Sequence, residues 1–197
     1  LGTATLVVPA KARLGEGPLW HPREQRLYWV DIDGQALHRF DPVTGNDEVM
    51  RFDAPVSAVF EGPDSRVLVA LQFSLAWVDF DARTVMPHAA GRIEGPPNRF
   101  NDGKRDAAGR VWIGSMHLNS RRRSGALFTV HADGRVERKL EGVGCSNGLA
   151  WSRDGRTLYY IDSHDQCIDR FAFDPDSGAL GQRRTLMAVS YTHLRAH

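Results

Sequence analysis

The sequence predicts an all-β fold built from repeated four-stranded units, and three observations carry that prediction. Glycine (19 residues) and proline (10) interrupt the chain too often for long helices. Turn signals recur at Asp33-Gly34, Asp41-Pro42-Val43-Thr44-Gly45, Ala108-Gly109, Asp133-Gly134, Asp154-Gly155 and Asp174-Pro175-Asp176-Ser177-Gly178. Aspartate initiates such turns through its side chain and glycine supplies the positive φ that tight hairpins need. Between the turns lie short β-branched and aromatic segments: Leu27-Tyr28-Trp29-Val30, Val111-Trp112-Ile113 and Leu158-Tyr159-Tyr160-Ile161. Short strands at regular spacing are the signature of sheet architectures.

The elements follow in order. The first unit divides into strands near 14–20, 26–32, 35–41 and 47–52. The interval from Asp64 to Met86 holds no Gly or Pro, yet Leu71, Phe73, Leu75 and Trp77 alternate at period two, so it too reads as strands. Gly17-Pro18-Leu19-Trp20 with Leu27-Tyr28-Trp29-Val30-Asp31 then repeats as Gly148-Leu149-Ala150-Trp151 with Leu158-Tyr159-Tyr160-Ile161-Asp162, 131 residues later. In that frame the repeat heads are Glu16, Ser57, Asn101 and Asn147, spaced by 41, 44 and 46 residues. Periods of roughly 40–50 residues with four short strands each belong to β-propeller blades. The chain of 197 residues therefore holds about four blades.

Composition limits the function classes. With 25 Lys+Arg against 24 Asp+Glu the net charge is +1, which argues against a nucleic-acid partner. No run approaches the length of a membrane span. No signal peptide is apparent at the start, and two cysteines without a C-x-x-C pair suit reduced thiols in a cytoplasmic protein.

Equivalent blade positions converge on a propeller axis. Glu16, Ser57, Asn101 and Asn147 would then form a ring of oxygen donors without His or Cys, which suits a hard divalent cation. Polar residues also line any water-filled channel, and spacing alone leaves both readings open. Other motifs are structural. Asp31-Ile32-Asp33-Gly34 lacks the glycine and glutamate positions of an EF-hand and reads as a turn. Arg121-Arg122-Arg123 reads as a solvated loop, and Trp20, Trp112 and Trp151 as packing between blades.

Five motifs in order carry a resemblance: Leu14-Gly15-Glu16-Gly17-Pro18-Leu19-Trp20, Asp53-Ala54-Pro55-Val56-Ser57, Asn98-Arg99-Phe100-Asn101-Asp102-Gly103-Lys104, Ser146-Asn147-Gly148-Leu149-Ala150-Trp151 and Tyr159-Tyr160-Ile161-Asp162-Ser163. From about Ala4 to Arg184 the sequence resembles the gluconolactonase / regucalcin (senescence marker protein) / luciferin-regenerating-enzyme family. The resemblance implies a six-bladed propeller with one divalent metal (Ca, Zn, Mg or Mn) on its axis, and hydrolysis of a small sugar lactone. A non-catalytic calcium-binding propeller and an interaction scaffold are the competing readings. By resemblance Glu16 and Asn147 are metal ligands, and Arg99 and Asn101 bind substrate. The family's next acidic position maps onto Asn119, which weakens that contact. The family's third ligand and general base, an aspartate opening the fifth blade, falls outside the recognisable repeats.

The expected organisation is a partial propeller over 1–187, with blades starting near 14, 55, 99 and 145 and a strand over 3–9 belonging to the closing blade. The stretch 188–197 continues no repeat, contains no acid and is expected to be a foreign tail resembling translated adapter sequence. A chain of four blades without the aspartate is expected to be poorly soluble and inactive by itself.

Overall fold

The computed structural model describes residues 3–119 and 122–188. Sixteen strands make four antiparallel sheets of four, each in sequence order, and no helix occurs among the described residues. The first sheet holds β1 (Gly15–His21), β2 (Arg26–Asp31), β3 (Ala36–Phe40) and β4 (Asp47–Arg51). The second holds β5 (Val56–Glu61), β6 (Arg66–Leu71), β7 (Ser74–Asp79) and β8 (Thr84–Arg92). The third holds β9 (Asn98–Arg105), β10 (Val111–His117), β11 (Gly125–Val130) and β12 (Val136–Val143). The fourth holds β13 (Ser146–Trp151), β14 (Thr157–Asp162), β15 (Cys167–Phe173) and β16 (Leu180–Ala188). Each sheet is one four-stranded blade, as the repeat period predicts.

The described residues form two compact units, 3–72 with 76–86 and 73–75 with 87–188. The core of the first gathers Tyr28, Val30, Leu37, Val56, Val69 and Phe80, and that of the second Trp112, Leu127, Leu149, Leu158, Tyr160 and Phe171. Most of these come from the two middle strands of their blades, with Val56 and Leu149 on first strands and Phe80 just past β7. The last strand of the fourth blade, β16, exposes nearly every residue.

The turns form as their chemistry demands. Asp41 accepts the N–H of Val43, and Gly45 donates back to the Asp41 carbonyl; Asp174 accepts the N–H of Asp176, and Gly178 donates to its carbonyl. Two expectations are corrected. Residues 3–12 carry no strand, so the one expected over 3–9 does not form here; an extended segment becomes a strand only with a ladder partner. Trp20 is half exposed, whereas Trp112 is fully buried and meets Trp151 and Phe173 edge to face at 5.9 and 5.7 Å. The expected tail lies, beyond Ala188, outside the described residues.

Candidate functional site

The repeat heads share a backbone device that the sequence pattern does not display. Register shifts interrupt the ladder between Glu16 and Leu19, between Val56 and Ala58, and between Asn147 and Leu149. In the third blade Gly103 faces Ile113 while Phe100 faces Ser115, which leaves Asn101 and Asp102 inside the irregularity. All four heads thus sit at or beside a β-bulge on the first strand of a blade. A bulge re-aims a side chain away from the strict alternation of a strand, which is how edge strands present functional groups. Gly17 (φ 59°) and Gly148 (φ 35°) follow Glu16 and Asn147, and their left-handed backbone is what permits the irregular step.

In the first unit, Glu16 is exposed at the start of β1. The strand is anchored by Asp31, whose carboxylate accepts the N–H groups of Arg13 (3.0 Å), Leu14 (2.9 Å) and Gly34 (3.0 Å). Burial works against that charge, but the three N–H dipoles and nearby His38 outweigh it and hold the carboxyl below the usual range. Ser57, by contrast, is buried with its hydroxyl turned to the Ala70 carbonyl, so it offers no outward ligand.

In the second unit the structure brings Arg99, Asn101 and the Asn147 segment together. The Arg99 guanidinium donates to the Phe100 carbonyl (2.8 Å) and to Asn101 Oδ1 (3.0 Å). Asn101 Nδ2 donates to the Ser146 carbonyl at 2.9 Å, linking the third and fourth blades. Asn147 Nδ2 donates to Ser163 Oγ at 3.2 Å. The amide nitrogen is engaged with Ser163, while Oδ1 accepts the Gly148 N–H at the same 3.2 Å and keeps a second lone pair with which it could serve as a ligand. Asn119 is exposed past the end of β10, where its N–H donates to His117 Nδ1.

Sequence reasoning passes over Asp102. Burial pushes its carboxyl up, against the opposing N–H groups of Gly103 and Gly148 and the charge of Lys104. It links the Arg99–Asn101 strand to the turn that follows Asn147, and its position between Asn101 and Gly103 was the available signal. The triple arginine is also corrected: Arg123 binds Asp165 (2.6 Å), Asp162 (3.3 Å) and the Gly142 carbonyl (3.1 Å) instead of pointing freely into solvent. Arg121 lies outside the described residues.

Taken separately, each candidate suits a hard cation in chemistry: Glu16 in the first unit offers a carboxylate and Asn147 in the second an amide oxygen, both oxygen ligands of the kind calcium, magnesium and manganese take. A second acidic group, Asp165, Cys167 and Asp169, comes close enough to suggest a metal. It is filled instead by arginines: Arg183 donates to Asp169 (2.7 Å) and Asp165 (2.5 Å), and Arg123 to Asp165. Two guanidinium groups supply the neutralisation that a cation would otherwise bring.

The chain is 38% identical over 183 residues to pentonolactonase XacC of Haloferax volcanii, covering 92% of this chain and 60% of the relative. It is 37% identical to regucalcin of Gallus gallus, covering 88% and 60%. Among solved structures, a luciferin-regenerating enzyme superposes with a TM-score of 0.85 at 29% identity over 90% of this chain and 62% of its own. A calcium-binding regucalcin of Agrobacterium tumefaciens superposes with a TM-score of 0.85 at 26% identity, covering 91% and 61%. The chain spans about three fifths of the length of the curated relatives it matches. Residues 14–194 match the SMP-30/gluconolactonase/LRE-like region, and the chain belongs to that family of six-bladed propellers, of which it carries four blades.

Proposed function

We propose that the protein to which this chain belongs hydrolyses a small sugar lactone to its aldonic acid with the help of one divalent cation. The observation that carries this reading is the hydrogen-bonded chain from Arg99 through Asn101 to the Ser146 carbonyl, the residue before Asn147, at the bulged strand starts of a chain 38% identical to a pentonolactonase. Glu16 and Asn147 would hold the cation, which when bound supplies polarisation of the lactone carbonyl. Arg99 stands ready to orient the substrate: its planar fork already donates to its own strand and suits the oxygens of a lactone. Asn101 holds Arg99 on one side and the Ser146 carbonyl on the other, so its first contribution is to fix the geometry of both. The general base implied by the family is an aspartate beyond the fourth blade, so activity belongs to the complete protein.

The test is hydrolysis of a panel of pentono- and hexonolactones by the full-length protein with calcium, magnesium, manganese or zinc. Glu16→Gln and Asn147→Ala are each expected to lower kcat/KM at least about a hundredfold, as loss of electrostatic stabilisation does. Arg99→Ala is expected to act mainly through KM. Unchanged rates in Glu16→Gln and Asn147→Ala would sink the assignment. Calcium binding with no turnover of any lactone would instead favour the calcium-binding reading that the likeness to regucalcins supports.

A further inference from the structure

We propose that Asp162 and Ser163 are positioning residues that present the Asn147 carbonyl oxygen to the cation, an inference that rests on Asn147 being a metal ligand. Asp162 is 2% exposed, at the end of β14 and opposite Ser146 in the ladder. Its carboxylate accepts three backbone N–H groups: Gly144 and Cys145, both at 2.8 Å, and His164 at 3.1 Å. Gly144 and Cys145 are the residues from which β13 is launched. The Ser163 N–H completes the fastening by donating to the Cys145 carbonyl at 2.9 Å.

Three bonds therefore fix the backbone just before Asn147, and the Asn101 amide holds the Ser146 carbonyl from the opposite side. The Ser163 side chain then acts on Asn147 directly. Ser163 Oγ holds the amide nitrogen while the Gly148 N–H, which can only donate, holds Oδ1; together they settle which end of the amide is which, and an asparagine can ligate a hard cation only through its oxygen. Without the Ser163 contact only the Gly148 N–H would oppose a turn of the amide that offers N–H groups to the metal. Support of this kind behind a ligand is what orients it and tunes affinity.

The same device recurs 131 residues earlier in the first unit. Asp31, at the end of β2, accepts the N–H groups of Arg13 and Leu14, which launch the strand that carries Glu16. Arg13 and Leu14 correspond in the repeat to Gly144 and Cys145. A carboxylate clamp thus stands behind both candidate ligands, and in the fourth blade the Ser163 side chain continues it to the ligand itself.

The experiment is calorimetric titration of the metal-stripped full-length protein with calcium and with manganese, well below the melting temperature of each variant. Asn147→Ala is expected to weaken binding severely. Ser163→Ala and Asp162→Asn are each expected to weaken it about tenfold. Ser163→Thr, which keeps the hydroxyl, is expected to restore affinity to near the parent value. On an Asn147→Ala background neither Ser163→Ala nor Asp162→Asn should weaken binding further, whereas a merely structural role would lower affinity equally on both backgrounds. The proposal is overturned, with the metal reading intact, if Asn147→Ala weakens binding while Ser163→Ala leaves the Kd within twofold. If Asn147→Ala itself binds like the parent, or the parent binds neither cation, the metal reading fails and the proposal falls with it. Should Asp162→Asn not fold, the Ser163 pair decides alone.

Discussion

The first and fourth blades descend from the same pattern, and they solve the presentation of a ligand differently. Each begins with a bulged strand followed by a left-handed glycine, and each is launched from an aspartate clamp. In the first blade the product is an exposed carboxylate, Glu16, whose two oxygens are equivalent and need no orienting. In the fourth it is an amide, Asn147, whose two ends differ chemically and which is tied through its nitrogen to Ser163. The asymmetric ligand is held at its amide nitrogen as well as through its backbone. Asp162 is deeply buried, accepts three N–H groups and is flanked by Arg123, whereas Asp31 has three N–H partners.

A large contrast should appear when the clamps are removed. Asp162→Ala is expected to cost about 1–3 kcal/mol, because it leaves the buried Gly144 N–H unsatisfied. Asp31→Ala should cost less, since all its acceptor bonds are only partly buried. Urea unfolding of the two variants decides this, and equal losses would break the comparison.

The paired tryptophans give a contrast of similar size. Trp20 and Trp151 occupy the same repeat position, yet Trp20 is 50% exposed while Trp151 packs edge to face on Trp112 and Phe173 at 5.9 and 5.8 Å. Trp151→Ala is expected to destabilise by about 2–4 kcal/mol. Trp20→Ala should stay within about 0.5 kcal/mol, as at an ordinary surface position. Thermal melts of the two variants should differ by several degrees.

The bulge glycines sharpen the comparison further. A Cβ at Gly148 would lie 2.8 Å from Ile161 Cδ1, while one at Gly17 would first meet Val30 Cγ2 at 3.6 Å. Both substitutions meet a left-handed backbone, so each carries a conformational penalty of about 1 kcal/mol. Gly148→Ala should therefore lose more stability than Gly17→Ala, measured as the shift in urea midpoint. The smallest effect concerns pH. The Asp31 carboxyl is held below its ordinary value in the folded state, so its contribution is present above the unfolded value of about 3.9 and is lost as pH falls through the folded one. Asp31→Asn should remove that part of the acid-side decline in the unfolding midpoint; an unaltered profile would show that the clamp's charge does not matter.

Much of this architecture was legible without coordinates. The strand spans of the first blade match within one residue or so at each end, because turn chemistry and period-two alternation are local properties. The candidate residues Glu16, Arg99, Asn101 and Asn147 follow from repeat position and motif, and the structure bonds Arg99 to Asn101 and Asn101 to the Ser146 carbonyl just before Asn147. Ser57 kept its repeat position but turned inward to Ala70, a choice that spacing cannot express. Asp102 stood in plain view within a motif, yet its contact with the Gly148 N–H comes from another blade.

What the sequence determined by itself, then, is the blade period, the order of strands and the residue types at each strand start, since these depend on neighbours a few positions away. Only the tertiary structure decided which repeat partner is buried, where the ladder slips into a bulge, and which end of the Asn147 amide meets Ser163. Those outcomes depend on contacts between residues far apart in sequence: Trp151 against Trp112, Asn101 against Ser146, Arg123 against Asp162. Two positions with the same place in the repeat can meet different partners across the sheet, and the partner, not the period, sets what each one does.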